Sequence, residues 1–456
     1  MKMTTPISDF IWSYRCKKPL RLHMPGHKGV LLTGCEDGDI TEVAGADSLY
    51  EADGIIRESE KNASCLFGCP TYYSTEGSSQ CIRAMLYLTM LHAKEQGIKR
   101  PLILAGRNAH KTFLSAVGLL DLEVEWLYPE DEGGYLSCPV TSEGLTARLA
   151  ELKAEGKLPA AVYLTSPDYL GNVLDIEALS EVCRKHGVLL LVDNAHGAYL
   201  KFLSPSLHPM DLGADICCDS AHKTLPVLTG GAYLHIGAHL PLGLRAQVKQ
   251  ALALFGSTSP SYLILKSLDM ANDVLASKKY SIALEKTIKK VEACWLKLAS
   301  CGLRPIQTAE PLKLTIRPRK HGYTGLEVAD YLRQNGIECE FADPDFVVMM
   351  ITPAITEADL GRLTEVLLSL PRRETLMQCP PALAHPKRAM TIREALLSPA
   401  ETLPVSECLG RVLAAATVGC PPAVPIVVSG EIIDESAMKC FKYYDIKVCS
   451  VVTKQE

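Results

Sequence analysis

The chain has 456 residues, 47% of them hydrophobic and 22% charged, with a formal net charge of −5. That length is enough to bury a large core and to fill two or three domains. With no basic block there is no electrostatic footprint for nucleic acid, no apolar run reaches the ~20 residues that span a bilayer, and the opening residues lack an apolar signal core.

The 17 cysteines are an odd number and include no C-x-x-C pair; Cys217 and Cys218 are adjacent. Many sit inside apolar runs, where a thiol acts as a small hydrophobe. The expectation is a reduced, cytoplasmic protein without a zinc site.

Residues 1–40 read as an arm. Its notable piece runs Arg21-Leu22-His23-Met24-Pro25-Gly26-His27-Lys28-Gly29, a turn by its Pro and Gly. His27 and Lys28 there are either site-facing or part of a solvated basic loop. Residues 41–60 are acidic; Asp47, Glu51 and Asp53 could face a cationic ligand, or simply line a solvated loop. Tyr72 to Ser79 then runs into a helix whose apolar Ile82, Met85, Leu86 and Met90 share one face. Gly77-Ser78-Ser79 at that helix start offers amides, hydroxyls and the positive end of the dipole, an anion site or an ordinary N-cap.

Pro101 to Ala105 is a buried strand leading into Arg107-Asn108-Ala109-His110-Lys111-Thr112. Leu122 to Tyr128 alternates as a half-wet strand does, and a helix comes next near 143–154. Ala160 to Ser166 is another buried strand, closed by Pro167-Asp168-Tyr169-Leu170-Gly171; Asp175 caps the next helix. Val188 to Val192 is a continuous apolar run ending in Asp193. Asp215 to Cys218 leads into Ser220-Ala221-His222-Lys223-Thr224, and Gly231 to Ile236 is a further strand. Strands and helices in this alternation predict a largely parallel sheet covered on both faces.

Ligands of open α/β sheets sit beyond the carboxyl ends of the strands, so Asp193 and Lys223 point at one place. A lysine amine can form a Schiff base with pyridoxal phosphate, while a carboxylate keeps the pyridine nitrogen protonated. The second His-Lys-Thr, at 110–112, is a rival for the lysine. Beyond the sheet, 240–254 is helical, Gly256 to Tyr262 is a hydroxyl-rich interruption, and a long amphipathic helix runs to about 300. A small α/β unit (303–372), a proline-bearing linker (373–390) and a last small unit (391–456) complete the chain.

Several stretches, namely VDNAHGA (192–198), DSAHKTLPVLTGGAYLH (219–235), HMPGHKG (23–29), RNAHKT (107–112) and STSPSY (257–262), resemble those of the Orn/Lys/Arg decarboxylase family. The resemblance covers nearly the whole chain, which looks like a short form without an N-terminal wing domain. It implies pyridoxal 5'-phosphate, a large domain of the aspartate aminotransferase (type I) fold over 41–302, and a basic amino acid as substrate. It makes Lys223 the Schiff-base lysine and Asp193 the partner of the pyridine nitrogen. Ser220, His222 and His196 fall near the cofactor, Gly77, Ser78 and Ser79 hold its phosphate, and His110 stacks on its ring. Ser257 and Thr258 reach it across the interface of a homodimer. Three departures stand out. Glu76 replaces the usual Asn, Asp168 and Leu170 stand where Thr-Tyr-Tyr-Gly is common, and Cys420-Pro421-Pro422-Ala423 and Ser429-Gly430-Glu431 replace Tyr-Pro-Pro-Gly and Pro-Gly-Glu. The alternatives are an aminotransferase on the same fold and a non-catalytic paralogue.

Overall fold

The computed structural model describes residues 3–129, 134–303, 305–382, 385–415 and 423–454; Cys420, Pro421 and Pro422 of the C-terminal departure lie outside the described residues. In chain order the strands are β1 (Thr71–Ser74), β2 (Leu102–Gly106), β3 (Glu123–Leu127), β4 (Ala161–Thr165), β5 (Leu189–Asp193), β6 (Ile216–Asp219), β7 (Ala232–Ile236), β8 (Lys313–Ile316), β9 (Phe341–Ala342), β10 (Val347–Met350), β11 (Ala400–Pro404), β12 (Leu413–Ala415) and β13 (Val448–Val452). The chain divides into two compact units. One comprises residues 1–101, 145–166 and 175–282, the other 102–144, 167–174 and 283–456. Among the described residues no helix is long and apolar enough to cross a membrane.

In the first unit the strand order is β1-β7-β6-β5-β4. β4, β5 and β6 run parallel, and their near-continuous apolar sequence suits strands covered on both faces. Within this largely parallel arrangement β7 runs antiparallel to β6 and to β1. Its connection to β6, residues 220–231, holds only the one-turn helix Ala221–Thr224 and lacks the crossover helix usual for a parallel return. The long helix Gly77–Glu95 buries Cys81, Ile82, Met85 and Leu86. In place of one long helix up to residue 300 there are two, Tyr262–Leu275 and Lys278–Ser300. Ser277 makes the break, its Oγ accepting the Tyr280 amide at 3.2 Å.

The second unit holds the parallel pair β2–β3 and two antiparallel three-stranded sheets, β8-β10-β9 and β11-β13-β12. Capping boxes start three of its helices, at Thr324/Glu327, Thr356/Asp359 and Thr391/Glu394, each side chain satisfying an otherwise orphaned amide. The core under β11–β13 gathers Cys408, Leu413, Ile433, Phe441, Cys449 and Val451. Arg107, just past β2, is buried. Its guanidinium donates to the carbonyls of Pro425 and Ile426 and to Glu431, at 3.1 Å. The Lys111 amide donates to the Ala423 carbonyl. Ionic and backbone bonds thus fasten the 107–111 turn to the C-terminal segment.

Candidate active site

β5 and β6 end side by side, and each delivers one functional group. Asp193 closes β5 and is 2% exposed. Its Oδ2 accepts the Tyr163 hydroxyl at 3.0 Å, and its Oδ1 accepts the Ala195 amide at 3.2 Å and the Cys218 thiol at 3.7 Å. Burial pushes its carboxyl up, against the pull of the Lys223 charge and of these donors. Lys223 sits four residues past the end of β6 in the one-turn helix and is half-buried. Its Nζ lies 2.9 Å from Nε2 of His196, which is itself 5% exposed. His222 donates Nδ1–H to the Gly231 carbonyl at 2.9 Å.

The start of the Gly77–Glu95 helix belongs to the same unit. Gly77 has φ +69°, a left-handed backbone that glycine adopts without strain, and a Cβ placed there meets nothing within 4 Å. Its own amide is spent on the Gly230 carbonyl at 2.7 Å, so Gly77 contributes open space and not a donor. Ser78 Oγ accepts from Ser220 Oγ at 2.8 Å, tying the helix start to the turn before Lys223. Glu76 is the exposed N-cap residue without a capping bond; its Oε1 accepts the Ser257 amide at 3.3 Å. Ser257 and Thr258 are exposed, and within the single chain Ser257 stands beside Glu76.

Other predicted residues have local duties. Asp47 is buried. Its carboxylate accepts the amides of Ser48, Asp53, Gly54, Ile56 and Arg57, organising the start of the helix Ile55–Phe67, while Glu51 and Asp53 are exposed. Asp168 is likewise a turn residue: Oδ1 accepts the amides of Leu170, Gly171 and Asn172, each at 2.9 Å. In the arm, His27 Nε2 lies 3.2 Å from Asp39, and Lys28 Nζ donates to the His23 carbonyl. His110 belongs to the second unit. It caps the helix Lys111–Leu120, its Nδ1 accepting the Thr112 amide at 3.1 Å, and Lys111 is exposed.

Two residues at the site escape sequence reading. Tyr163 looks like one more apolar strand residue, yet its hydroxyl orients Asp193. Asn194 comes after Asp193 unremarkably, yet its side chain reaches Asp219 Oδ1 at 2.6 Å. The one usable signal was that a Tyr in a fully buried strand needs a partner for its hydroxyl.

Two family models match the chain: the Orn/Lys/Arg decarboxylase major domain over residues 35–303 and the C-terminal domain over 372–450. The arginine decarboxylase of Bacillus subtilis is 29% identical over 474 residues, covering 97% of this chain and 94% of its own. That of Halalkalibacterium halodurans is 27% identical, covering 95% and 91%. Among solved structures, the lysine decarboxylase of Francisella novicida superposes with a TM-score of 0.79 at 17% identity, covering 99% of this chain and 81% of its own. The constitutive lysine decarboxylase of E. coli does so at 0.76, also at 17%, covering 99% and 82%. The fold is that of the type I pyridoxal-phosphate-dependent enzymes.

Proposed function

The chain belongs to the Orn/Lys/Arg decarboxylase family, and from that premise we propose that it decarboxylates a basic amino acid, arginine before lysine or ornithine, using pyridoxal 5'-phosphate. The name shared by relatives matched along nearly their full length supports arginine. The observation that carries the chemistry is the pair Asp193 and Lys223 at neighbouring strand ends.

The residues fit the cofactor. Asp193 is a desolvated carboxylate that a protonated ring nitrogen would neutralise. Gly77 leaves space before a helix start, where amides and the dipole favour a phosphate, and Ser78 and Ser220 add hydroxyls. Bound there, pyridoxal phosphate supplies a carbonyl to Lys223 and a ring that takes up the electron pair of the breaking bond to the carboxylate.

The chain's own groups orient the substrate and manage protons. Tyr163 aims Asp193, which holds a proton on the ring nitrogen. His196 Nε2, at 2.9 Å from Nζ, is placed to take a proton from the Lys223 ammonium and free the amine. Lys223 or His222 returns a proton to the α-carbon. By its likeness to the family motif, His110 is the residue that covers the ring face, and Ser257 and Thr258 serve the site of a partner copy in a homodimer. Leu20, Leu22 and Leu32 in the arm are more than 80% exposed, apolar surface that a second copy would cover.

Incubation with arginine, lysine and ornithine in turn, assaying carbon dioxide and amine, tests the reading. The expected result is equimolar carbon dioxide and amine, fastest from arginine. A keto acid without carbon dioxide would establish an aminotransferase, and no product from any of the three a non-catalytic protein. Sedimentation over a dilution series should show a dimer that bound cofactor stabilises by mass action; a fully active monomer excludes the shared site.

A further inference from the structure

Beneath the Lys223 turn lies a set of buried ionisable side chains for which the proposed chemistry has no use. Asp219, the last residue of β6, has no exposed surface, and neither have His208 and His235. Asp219 Oδ2 accepts from Nε2 of both imidazoles, each at 3.0 Å. The hydrogens around the two rings can be counted. His208 Nδ1 accepts the Met210 amide at 3.3 Å, so its single proton is on Nε2 and the ring is neutral. His235 differs. Its Nδ1 faces Thr71 Oγ1 at 2.9 Å, and Thr71 Oγ1 lies 3.0 Å from the Cys69 carbonyl, an acceptor for its one hydroxyl hydrogen. With that hydrogen on the carbonyl, Thr71 accepts from His235. His235 then donates from Nδ1 to Thr71 and from Nε2 to Asp219, with a proton on each nitrogen.

We infer that His235 is a buried imidazolium paired with Asp219, and that the pair is a positioning device that fixes the Asp193 and Lys223 strand ends relative to each other. The inference rests on Asp193 and Lys223 forming the cofactor site. Asp219 lies four residues before Lys223, and its other oxygen accepts the side chain of Asn194, next to Asp193. The Asn194 amide also donates to the Cys218 carbonyl at 3.0 Å. A buried ion pair adds little net stability over an apolar filling but commits its neighbours to one geometry. The titratable groups facing His235 are Asp219 on β6, Cys69 ahead of β1, Tyr233 on its own strand and His208. Phe67 packs on its ring, 4.5 Å between centroids. Burial lowers the proton affinity of His235, but Asp219 and Cys69 together outweigh it and the net direction is up. His208, Cys217 and Asp219 also bring three donor atoms of metal-ligand type within 4.8 Å of one another; with both Nε2 atoms spent as hydrogen donors, the set works as a proton-bridged cluster.

Histidine-selective 15N NMR of the cofactor-loaded protein tests the protonation. Both His235 nitrogens should report attached hydrogens near pH 6, and the second should be lost only at a pH above that of a free imidazole. A neutral His235, or a stoichiometric transition metal that His208→Gln releases, overturns the assignment. The positioning role is read from Asp219→Asn and the double variant Asp219→Asn/His235→Gln. Asp219→Asn should lower kcat about ten-fold with KM within about two-fold and move the pH midpoint of the bound cofactor's absorbance; the double variant should recover part of the loss. If both variants keep the wild-type absorbance midpoint and kcat per bound cofactor while melting lower, the pair is merely structural and the positioning role is wrong. If Asp219→Asn does not fold, His235→Gln alone gives the same two readouts. Failure of the decarboxylase reading would appear as no product from any basic amino acid and would leave the NMR result standing.

Discussion

His110-Lys111-Thr112 and His222-Lys223-Thr224 carry the same three residues, and they end in opposite circumstances. Lys111 opens a ten-residue helix, Lys111–Leu120, with the His110 side chain as its cap. A cation at that end opposes the helix dipole, and the side chain is exposed. Lys223 lies in a single helical turn wedged between β6 and β7, half-buried and 2.9 Å from His196. The tripeptide itself decides nothing; its setting does. Lys111 stands exposed at the first position of a full helix, whereas Lys223, in a single turn just past β6, stays half-buried near the strand ends.

The sharpest way to break this contrast is to exchange the lysines' fates. Lys223→Ala should cost about 10³-fold or more in turnover, because the covalent anchor goes, and Lys111→Ala should stay within a few-fold of wild type. Borohydride reduction and peptide mapping should label Lys223; a label on Lys111 reverses the assignment. Next in size is Asp193→Asn. The amide keeps the Tyr163 bond but cannot hold a charged ring nitrogen, so cofactor should remain bound while kcat falls about 10²- to 10³-fold. Near-normal kcat would make Asp193 a structural acid.

How far the sequence disclosed this arrangement depends on what each residue needed. Strands ending in Asp193 and preceding Lys223 were legible because buried parallel strands are continuous apolar runs, and the first polar residue marks their end. Asp47 and Asp168 were ambiguous for a physical reason. A carboxylate gathering amides at a turn and a carboxylate awaiting a cation are the same residue in the same kind of loop; only the backbone that folds around it separates them. β7 was legible as a strand but not in direction, because the sequence does not show that its connection forms a single helical turn and not a crossover helix. His235 was hidden altogether, since within an apolar strand nothing marks a histidine whose partner is 16 positions away.

That hidden pair sharpens the contrast, because it underlies only the Lys223 turn. His235 has its folded pKa raised above 6.5, and Asp219 has its own lowered below 3.8. The His235 contribution to stability is therefore complete below about pH 6.5 and lost as pH climbs through the folded value. The Asp219 contribution is complete above about pH 3.8 and lost as pH falls through its folded value. Denaturant titrations of wild type and His235→Gln should differ most near pH 5–6. The gap should then narrow on alkalinisation, by ~1.4 kcal/mol for each unit by which the folded pKa exceeds 6.5. A gap independent of pH up to 10 means that His235 titrates no proton there and the ion-pair reading fails.

The smallest expected effect concerns Glu76, at the proposed phosphate cradle beside the Lys223 turn. Its carboxylate is at the N-cap position of the Gly77–Glu95 helix, makes no capping bond, and is held by the Ser257 amide at 3.3 Å. The positive end of the dipole attracts it as it would attract a phosphate, so carboxylate and cofactor compete for one field. Because Glu76 is exposed, water and salt screen the conflict and keep it small. Glu76→Asn removes the charge and supplies a good N-cap. The cofactor dissociation constant should fall about 2- to 5-fold at low ionic strength, and the advantage should fade above about 0.5 M salt, where the Debye length drops below the reach of the interaction. Titrating cofactor-free protein with pyridoxal phosphate at both salts measures it. Glu76→Gln separates charge from capping, since glutamine is a poorer cap. Equal gains in the two variants assign the effect to charge, a gain in Asn alone assigns it to the cap, and no gain in either means that the bond to Ser257 already turns Glu76 away from the phosphate.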